Sequence, residues 1–303
     1  MSVFFAVLTQ NILPIALVAS LGFALRRRFA VQPATLNSVV FNVFSPCLVF
    51  SGLVGSRLPG EELLGLAAFT AISVLVMGGL ALGLARLLRL SRPEMAAVLI
   101  VAMFANGGNY GLTLLQLRYG DDGLSRGIVY FVASTLLFYT LGVFIASLGR
   151  LTWRESLARM VRVPAFYAAL LAVVVYGLHI PVPRPIMSGI TIAGQGAIPV
   201  MLIILGMQIA DMRRGETTTY VWPSVGLRLL VGPLVGLVVA AALGLSGVGR
   251  SAMIIEMGMP PAVFSLILAA EFGLPTAAVA RIVVFATLLS PFTVAATITL
   301  LGL

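Results

Sequence analysis

Two asparagines and two glycines interrupt an otherwise apolar stretch of the chain: Asn106, Gly107, Gly108 and Asn109. Each glycine inside a helix costs about 1 kcal/mol relative to alanine, so this run predicts a break in a helix. The amide side chains supply donors and acceptors that can bind a carboxylate or bridge two helices. We therefore take these four residues, with the adjoining Tyr110, as candidate substrate-binding residues.

A second break follows about 153 residues later, at Gly258, Met259, Pro260 and Pro261. Each proline inside a helix costs about 3 kcal/mol, because it lacks a backbone N–H and clashes with the preceding turn. These four residues complete the candidate substrate-binding set.

One acidic residue, Glu256, lies two positions before the second break, within an apolar stretch. A lone carboxylate inside a membrane is costly, and it is either a hydrogen-bonded core residue or a ligand for a coupling cation. Ser134 and Thr135 could add oxygen atoms to a cation site, although hydroxyl groups inside a helix more often bond their own backbone. No cofactor is expected. The sequence leaves open whether Na⁺ or H⁺ acts as a coupling ion.

The helices that carry these residues are predicted to cross a membrane. Of 303 residues, 60% are hydrophobic and 10% are charged, whereas soluble proteins carry about 25% charged residues. A spanning helix needs about 20 largely apolar residues. Polar gaps and arginine clusters place ten such segments, numbered 1 to 10, near residues 3–25, 34–54, 62–88, 94–119, 123–148, 163–180, 185–210, 218–244, 248–272 and 275–300.

The predicted fold is an all-α polytopic membrane protein of two repeats. The polar stretch 150–162 divides the chain into residues 1–150 and 151–303, with five segments each. An odd number of segments inverts the second repeat relative to the first. Unwound backbone in a membrane is tolerated only inside protein or along a cavity, so the breaks in segments 4 and 9 should face each other near the midplane. Two independent kinks used for packing are the alternative.

All 19 basic residues are arginines, and their distribution predicts the orientation. By the positive-inside rule the loops after segments 1, 3, 5 and 7 face the cytoplasm, so both termini lie outside the inner (plasma) membrane. Arg228 and Arg281, within segments 8 and 10, are predicted to extend their charged heads to the interface. The inner loops hold Arg26, Arg27, Arg28, Arg86, Arg89, Arg92, Arg150, Arg154, Arg159, Arg162, Arg213 and Arg214, and the outer loops hold Arg57, Arg118, Arg126, Arg184 and Arg250.

Other functional classes are disfavoured by what the sequence lacks. Without lysine there is no Walker A phosphate loop, and the arginines form no contiguous basic face for a nucleic acid. Residues 244–247 resemble the tetrad of an intramembrane serine protease, but His179 is the sole possible base. The sequence RYGDD at 118–122 is similar to a motif of intramembrane aspartyl proteases. That chemistry needs a second aspartate within a span, and this sequence has none. We expect no catalytic residues and no metal site; an intramembrane hydrolase and a non-transporting sensor remain alternatives.

Four stretches, at 36–53, 105–120, 197–211 and 259–273, resemble the auxin efflux carrier family of bacterial and plant transporters, which includes the plant PIN-type proteins. The resemblance implies a scaffold of segments 1, 2, 6 and 7 and a mobile transport domain of segments 3–5 and 8–10. It also implies that the crossover segments bind a carboxylate, with the asparagine of that site at Asn106 or Asn109 and its proline at Pro260. A homodimer through the scaffold is a further implication.

Segment 9 is also similar to the bile-acid sodium symporters, which share this fold and carry a sodium-binding glutamate where this chain has Glu256. The expected function is transport of small organic anions, carboxylates with auxin-like acids among them, across the lipid bilayer by alternating access of the elevator type. A sodium-coupled symporter of the bile-acid or sterol type is the alternative within transport.

Overall fold

The computed structural model describes residues 3–55, 58–147, 154, 163–178, 180–211 and 218–303. These ranges contain eleven helices and, apart from one isolated bridge, no β-structure. The helices are α1 (Val3–Arg28), α2 (Pro33–Gly55), α3 (Gly60–Leu87), α4 (Arg92–Met103), α5 (Gly107–Ala146), α6 (Pro164–Gly177), α7 (Arg184–Ala210), α8 (Val221–Ala242), α9 (Gly247–Met257), α10 (Phe264–Glu271) and α11 (Thr276–Leu301).

Seven of these helices are long and apolar enough to cross a membrane: α1, α2, α3, α5, α7, α8 and α11. The prediction of an all-α membrane protein is confirmed at this level. Helices α4, α9 and α10 are shorter because the two predicted breaks end α4 at Met103 and α9 at Met257. Helix α6 has 14 residues.

The boundary predicted between segments 4 and 5 is a kink at Gly120 within α5. Gly120 has φ of 62° and ψ of −148°, a conformation that a residue with a Cβ adopts only under strain. A single glycine therefore redirects the chain where the sequence predicted a short connection.

Parts of the sequence prediction lie outside the described residues. These are the polar stretch 150–162 except for the exposed Arg154, together with His179, Arg57, Arg213 and Arg214.

Helices α1, α2, α6 and α7 pack into one group. Helix α1 lies along the second half of α7, and α2 contacts α6 and the first half of α7. The contact between α1 and α7 requires glycine on both helices, since a Cβ on Gly22 would overlap the backbone of Ile203 and one on Gly206 that of Ala19. Small residues let membrane helices approach this closely.

Helices α3, α4, α5, α8, α9, α10 and α11 form the second group. Helix α3 contacts α4, α5, α8 and α9, and α11 contacts α4, α8 and α10. Two ion pairs each lie within one group. Arg126 of α5 pairs with Glu62 of α3 at 2.7 Å, and Arg26 of α1 pairs with Asp211 beside α7 at 2.7 Å. The groups meet where α2, α6 and α7 contact α5 and where α1 contacts α5 and α11; the α7 contact lies at the first turn of α5.

Candidate functional site

The two helix breaks cross each other and exchange backbone hydrogen bonds. The N–H of Asn106 donates to the carbonyl of Pro260 at 2.7 Å, and the N–H of Ala262 donates to the carbonyl of Phe104 at 2.8 Å. Ala105 and Pro261 form an isolated antiparallel bridge between these bonds. The prediction that the breaks face each other is confirmed, and we call residues 104–106 and 260–262 the crossing.

The local sequence explains why α9 ends and α5 begins here. Helix α9 cannot continue through Pro260 and Pro261, which have no N–H to donate to the preceding turn. On the other side, the Asn106 side chain caps α5 by accepting a bond from the N–H of Asn109 at 3.3 Å. Capping of this kind satisfies an N–H group that has no partner inside the helix. The Nδ2 atom of Asn106 is buried and has no partner among the described residues.

A cavity of about 70 Å³ opens at the start of α5, and we call it the substrate cavity because residues predicted to bind substrate line it. Its polar walls come from amide and hydroxyl side chains, and its apolar walls are largely aromatic. None of its described lining residues is charged. The polar lining residues are Asn37, Ser45, Asn106, Asn109, Ser134 and Thr135, and the aromatic ones are Phe41, Phe104, Tyr130, Phe131, Phe138, Tyr139 and Phe264.

Irregular helical turns shape this cavity. Three π-helical turns contribute lining residues: Val40–Phe44 in α2, and Gly107–Gly111 and Phe138–Gly142 in α5. A π turn widens the helix by one residue and occurs frequently at functional sites. The α2 residues Asn37, Phe41 and Ser45 also line the cavity, although they lie far from both breaks along the chain, so their proximity could not be predicted from the sequence.

The predicted site residues separate into distinct environments. Asn106, Gly107, Gly108 and Asn109 line the substrate cavity, as do Ser134 and Thr135 of the predicted cation site. Of residues 258–261, Pro260 and Pro261 lie in the crossing, and none of the four lines the cavity, whereas Ala262 does. Tyr110 faces a second cavity of about 280 Å³, together with residues of α1, α7 and α11.

Glu256 lies behind the start of α5 rather than in the cavity lining. Its side chain is fully buried, and neither carboxylate oxygen has a hydrogen-bond partner among the described residues. A Cβ on Gly111 would overlap this carboxylate, and one on Gly107 would come within 2.8 Å of it. Three α5 glycines, Gly107, Gly111 and Gly127, thus make room for Glu256.

The prediction for Arg228 is wrong: its side chain does not reach the interface and is fully buried. The guanidinium donates to the carbonyls of Met257 at 2.7 Å, Ala102 at 2.8 Å and Met259 at 2.9 Å. A π-helical turn at Leu227–Val231 carries this arginine. The sequence could have indicated this burial. Arg228 lies near the middle of segment 8, and an arginine so far from either end of a span does not reach water.

A third cavity, of about 620 Å³, adjoins the substrate cavity, and Asn37 lines both. We call this cavity the vestibule. It is lined by charged residues from loops predicted to face the cytoplasm, Arg26 and Asp211, and by the half-buried Arg281. The described residues contain no group of three or more His, Cys, Asp or Glu side chains placed to hold a metal ion.

The known proteins to which this chain is similar are named as transporters or carriers. The chain is 27% identical to an uncharacterized transporter of Methanothermobacter thermautotrophicus, over 93% of this chain and 94% of that protein. It is 24% identical to the uncharacterized transporter YfdV of Escherichia coli, over 88% of each chain. It is also 25% identical to the probable auxin efflux carrier component 3b of Oryza sativa subsp. japonica, over 49% of this chain and 26% of that protein.

A family model described as "Membrane transport protein" matches residues 7–149 and 150–298, which is nearly the whole chain. The family and these relatives are transporters by name, in agreement with the expectation that the chain is not an enzyme. The apolar spans, the crossing and the family match lead to one conclusion: the chain belongs to the membrane transport protein family, and its resemblance to the auxin efflux carriers is confirmed.

Proposed function

We propose that this transporter carries small organic anions, carboxylates in particular, across the inner membrane by alternating access. The observation that supports this most is the N-terminal end of α5 at the substrate cavity. A helix N-terminus bears a positive partial charge, and its free N–H groups bind anions. Asn106 adds a buried, unpartnered amide donor, and Asn109 adds a second amide in the cavity wall.

The cavity suits an organic anion better than an inorganic one. Aromatic walls formed by Phe104, Phe131 and Phe138 would contact the apolar part of the molecule, while the amides would hold the carboxylate. A volume of about 70 Å³ corresponds to roughly two water molecules at the ~30 Å³ that each occupies in the liquid. We therefore expect short-chain carboxylates to fit this conformation better than bulky auxin-like acids.

The vestibule supports access from the cytoplasm. It joins the substrate cavity at Asn37, and Arg281 contributes a positive charge there that would attract anions. The contacts fit the proposed orientation, because Arg26 pairs with Asp211, both from loops assigned to the cytoplasm. On the side assigned to the exterior, Glu62 pairs with Arg126. Both termini then lie outside.

We further propose the two-repeat architecture and an elevator movement. Counting the kink at Gly120 as a turn and each crossover as one span gives ten segments, and the family model divides at residues 149 and 150. The helix group α1, α2, α6 and α7 would be the scaffold, through which two copies pair, and the second group would move the crossing across the membrane. The ion pairs Arg26–Asp211, Arg126–Glu62 and Arg126–Asp122 each lie within one group, which favours sliding of one group against the other.

A sodium-coupled symporter is the second candidate, favoured by the buried Glu256. The sequence hypothesis joined Glu256 with Ser134 and Thr135 in one cation site. The two hydroxyl residues line the substrate cavity, whereas Glu256 lies behind Gly107 and Gly111. If Glu256 does couple transport to Na⁺ or H⁺, Glu256→Gln should remove the dependence of substrate affinity on that ion.

The experiment for the proposed function is a thermal-stability screen of purified protein, followed by counterflow in proteoliposomes. A ligand that binds only the folded state raises Tm by mass action. We expect stabilisation by short mono- or dicarboxylates but not by their amides, and carboxylate counterflow that depends on the protein. Stabilisation by neutral analogues alone, or lack of counterflow with every stabilising acid, would contradict the proposal.

A further inference from the structure

We infer that Arg228 is the built-in cation of the crossing: its guanidinium occupies the carbonyl-lined position that a metal cation would need, so that binding and transport do not require Na⁺. The part that concerns transport rests on the proposed function. The part that concerns ion binding stands on the contacts of Arg228 alone.

The carbonyls that Arg228 contacts come from both interrupted segments. Ala102 lies in the last turn of α4, Met257 ends α9, and Met259 lies in the second break. Carbonyls at helix C-termini carry negative partial charge and have no partner within the helix. In transporters with broken helices, carbonyls of this kind coordinate Na⁺.

The guanidinium fits this position through its shape as well as its charge. Its N–H donors form a rigid planar fork, and three different nitrogens each bind one carbonyl. One side chain from α8 thus joins the ends of α4 and α9, whereas a lysine could offer only a single nitrogen. The side chain is a positioning residue, since it holds the half-helices that present the substrate cavity.

Charge balance leads to the same conclusion. Arg228 and Glu256 are the charged side chains among the buried residues of the described chain, and they are close enough to interact electrostatically. A sodium ion beside Glu256 would face the positive charge of Arg228 and would be repelled by it. Arg228 therefore already supplies positive charge to these carbonyls without a bound ion.

The first test uses the unmodified protein without substrate. Tm is measured in NaCl, KCl and choline chloride at equal ionic strength. We expect the same Tm in all three salts. A saturable increase in Tm that is specific to Na⁺ would overturn the inference, because it would reveal a sodium site that Arg228 does not replace.

The second test is chemical rescue of Arg228→Ala, with Arg281→Ala as the matched control. Removal of the Arg228 side chain should lower Tm by several degrees, and low-millimolar guanidinium chloride should recover part of this loss. It should not raise Tm for the wild type or for Arg281→Ala, since neither has an unfilled guanidinium position at the crossing. Arg228→Lys should lie between wild type and Arg228→Ala. Equal responses of all proteins to guanidinium would overturn the inference.

If Arg228→Ala cannot be purified, the comparison of salts on the wild type still decides the ion-binding claim. Both tests omit the carboxylate, so their failure leaves the proposed function intact. Conversely, a protein that binds no carboxylate but shows no sodium effect and is rescued by guanidinium would refute the proposed function and retain the role of Arg228.

Discussion

The two helix breaks occupy matching places in the two halves of the sequence, yet they face different surroundings. The first break, at 106–109, opens onto the substrate cavity with two amides and the start of α5. The second, at 258–261, faces the protein interior, where Arg228 binds its carbonyls and Glu256 lies nearby. The backbone bonds of the crossing hold the two together.

This difference suggests a division of roles between the breaks. A break rich in asparagine and glycine supplies flexible donors and space, which suits ligand binding. A break made by prolines supplies free carbonyls but few donors, and here an internal arginine satisfies them. Substitutions around the second break should therefore act mainly on stability, and substitutions in the first mainly on substrate affinity.

The largest effect is expected at the second break. Arg228→Gln removes the buried charge and most of the hydrogen bonds to the three carbonyls. Each hydrogen bond from a charged donor contributes about 1.5 to 3 kcal/mol, so loss of two of them should cost about 3 to 6 kcal/mol. Denaturant unfolding of the purified protein measures this loss. Arg281→Gln, at a half-buried arginine of the vestibule, should change the unfolding free energy by less than about 1 kcal/mol. Similar losses of unfolding free energy in the two variants would contradict the special stabilising role of Arg228 at the second break.

The first break should respond in affinity. Asn106→Ala or Asn109→Ala should remove the proposed hydrogen bond to the carboxylate, which would be a loss of about 1.5 to 3 kcal/mol or roughly 10- to 150-fold in Kd. Titration calorimetry with the best carboxylate from the screen measures it. Asn42→Ala is the control, because that side chain bonds Ser38 of its own helix and does not line the cavity. Unchanged affinity in both cavity variants would show that the first break is not part of the binding site.

A smaller effect is expected where the two regions touch. Gly111→Ala places a methyl group against the Glu256 carboxylate, and such overpacking typically costs about 1 to 3 kcal/mol. Gly83→Ala in α3 is the matched control, since no atom lies within 4 Å of its added Cβ. Denaturant unfolding of both variants separates steric overlap from helix propensity. A Gly111→Ala protein as stable as the control would show that Glu256 is not confined by α5.

The smallest perturbation tests the orientation of the whole arrangement. Cysteines placed at the exposed positions Arg27 and Arg154, in a protein whose single native cysteine, Cys47, is replaced, should resist an impermeant thiol reagent added to intact cells. Labelling at both positions would invert the proposed topology. Labelling at one alone would contradict the number of segments between them.

Much of this arrangement could be predicted from sequence patterns. The apolar segments, both breaks and their mutual approach follow from hydrophobicity and from the backbone limits of glycine and proline. The surroundings of side chains could not be predicted in the same way. Arg228 was expected at the interface, and Tyr110 was grouped with its sequence neighbours although it faces another cavity. Such placements depend on which helices pack together, and that is a property of the folded chain rather than of any one segment.

The most direct test of the central claim, that the first break holds the substrate, is site-specific protection. Thr135→Cys in the substrate cavity and Ser20→Cys beside the second cavity are made in the Cys47-free protein, and their reaction rates with a small thiol reagent are measured with and without the best carboxylate from the screen. The account predicts that the carboxylate slows modification at position 135 and leaves position 20 unchanged. Protection at position 20 alone, or at neither position under saturating carboxylate, would contradict it.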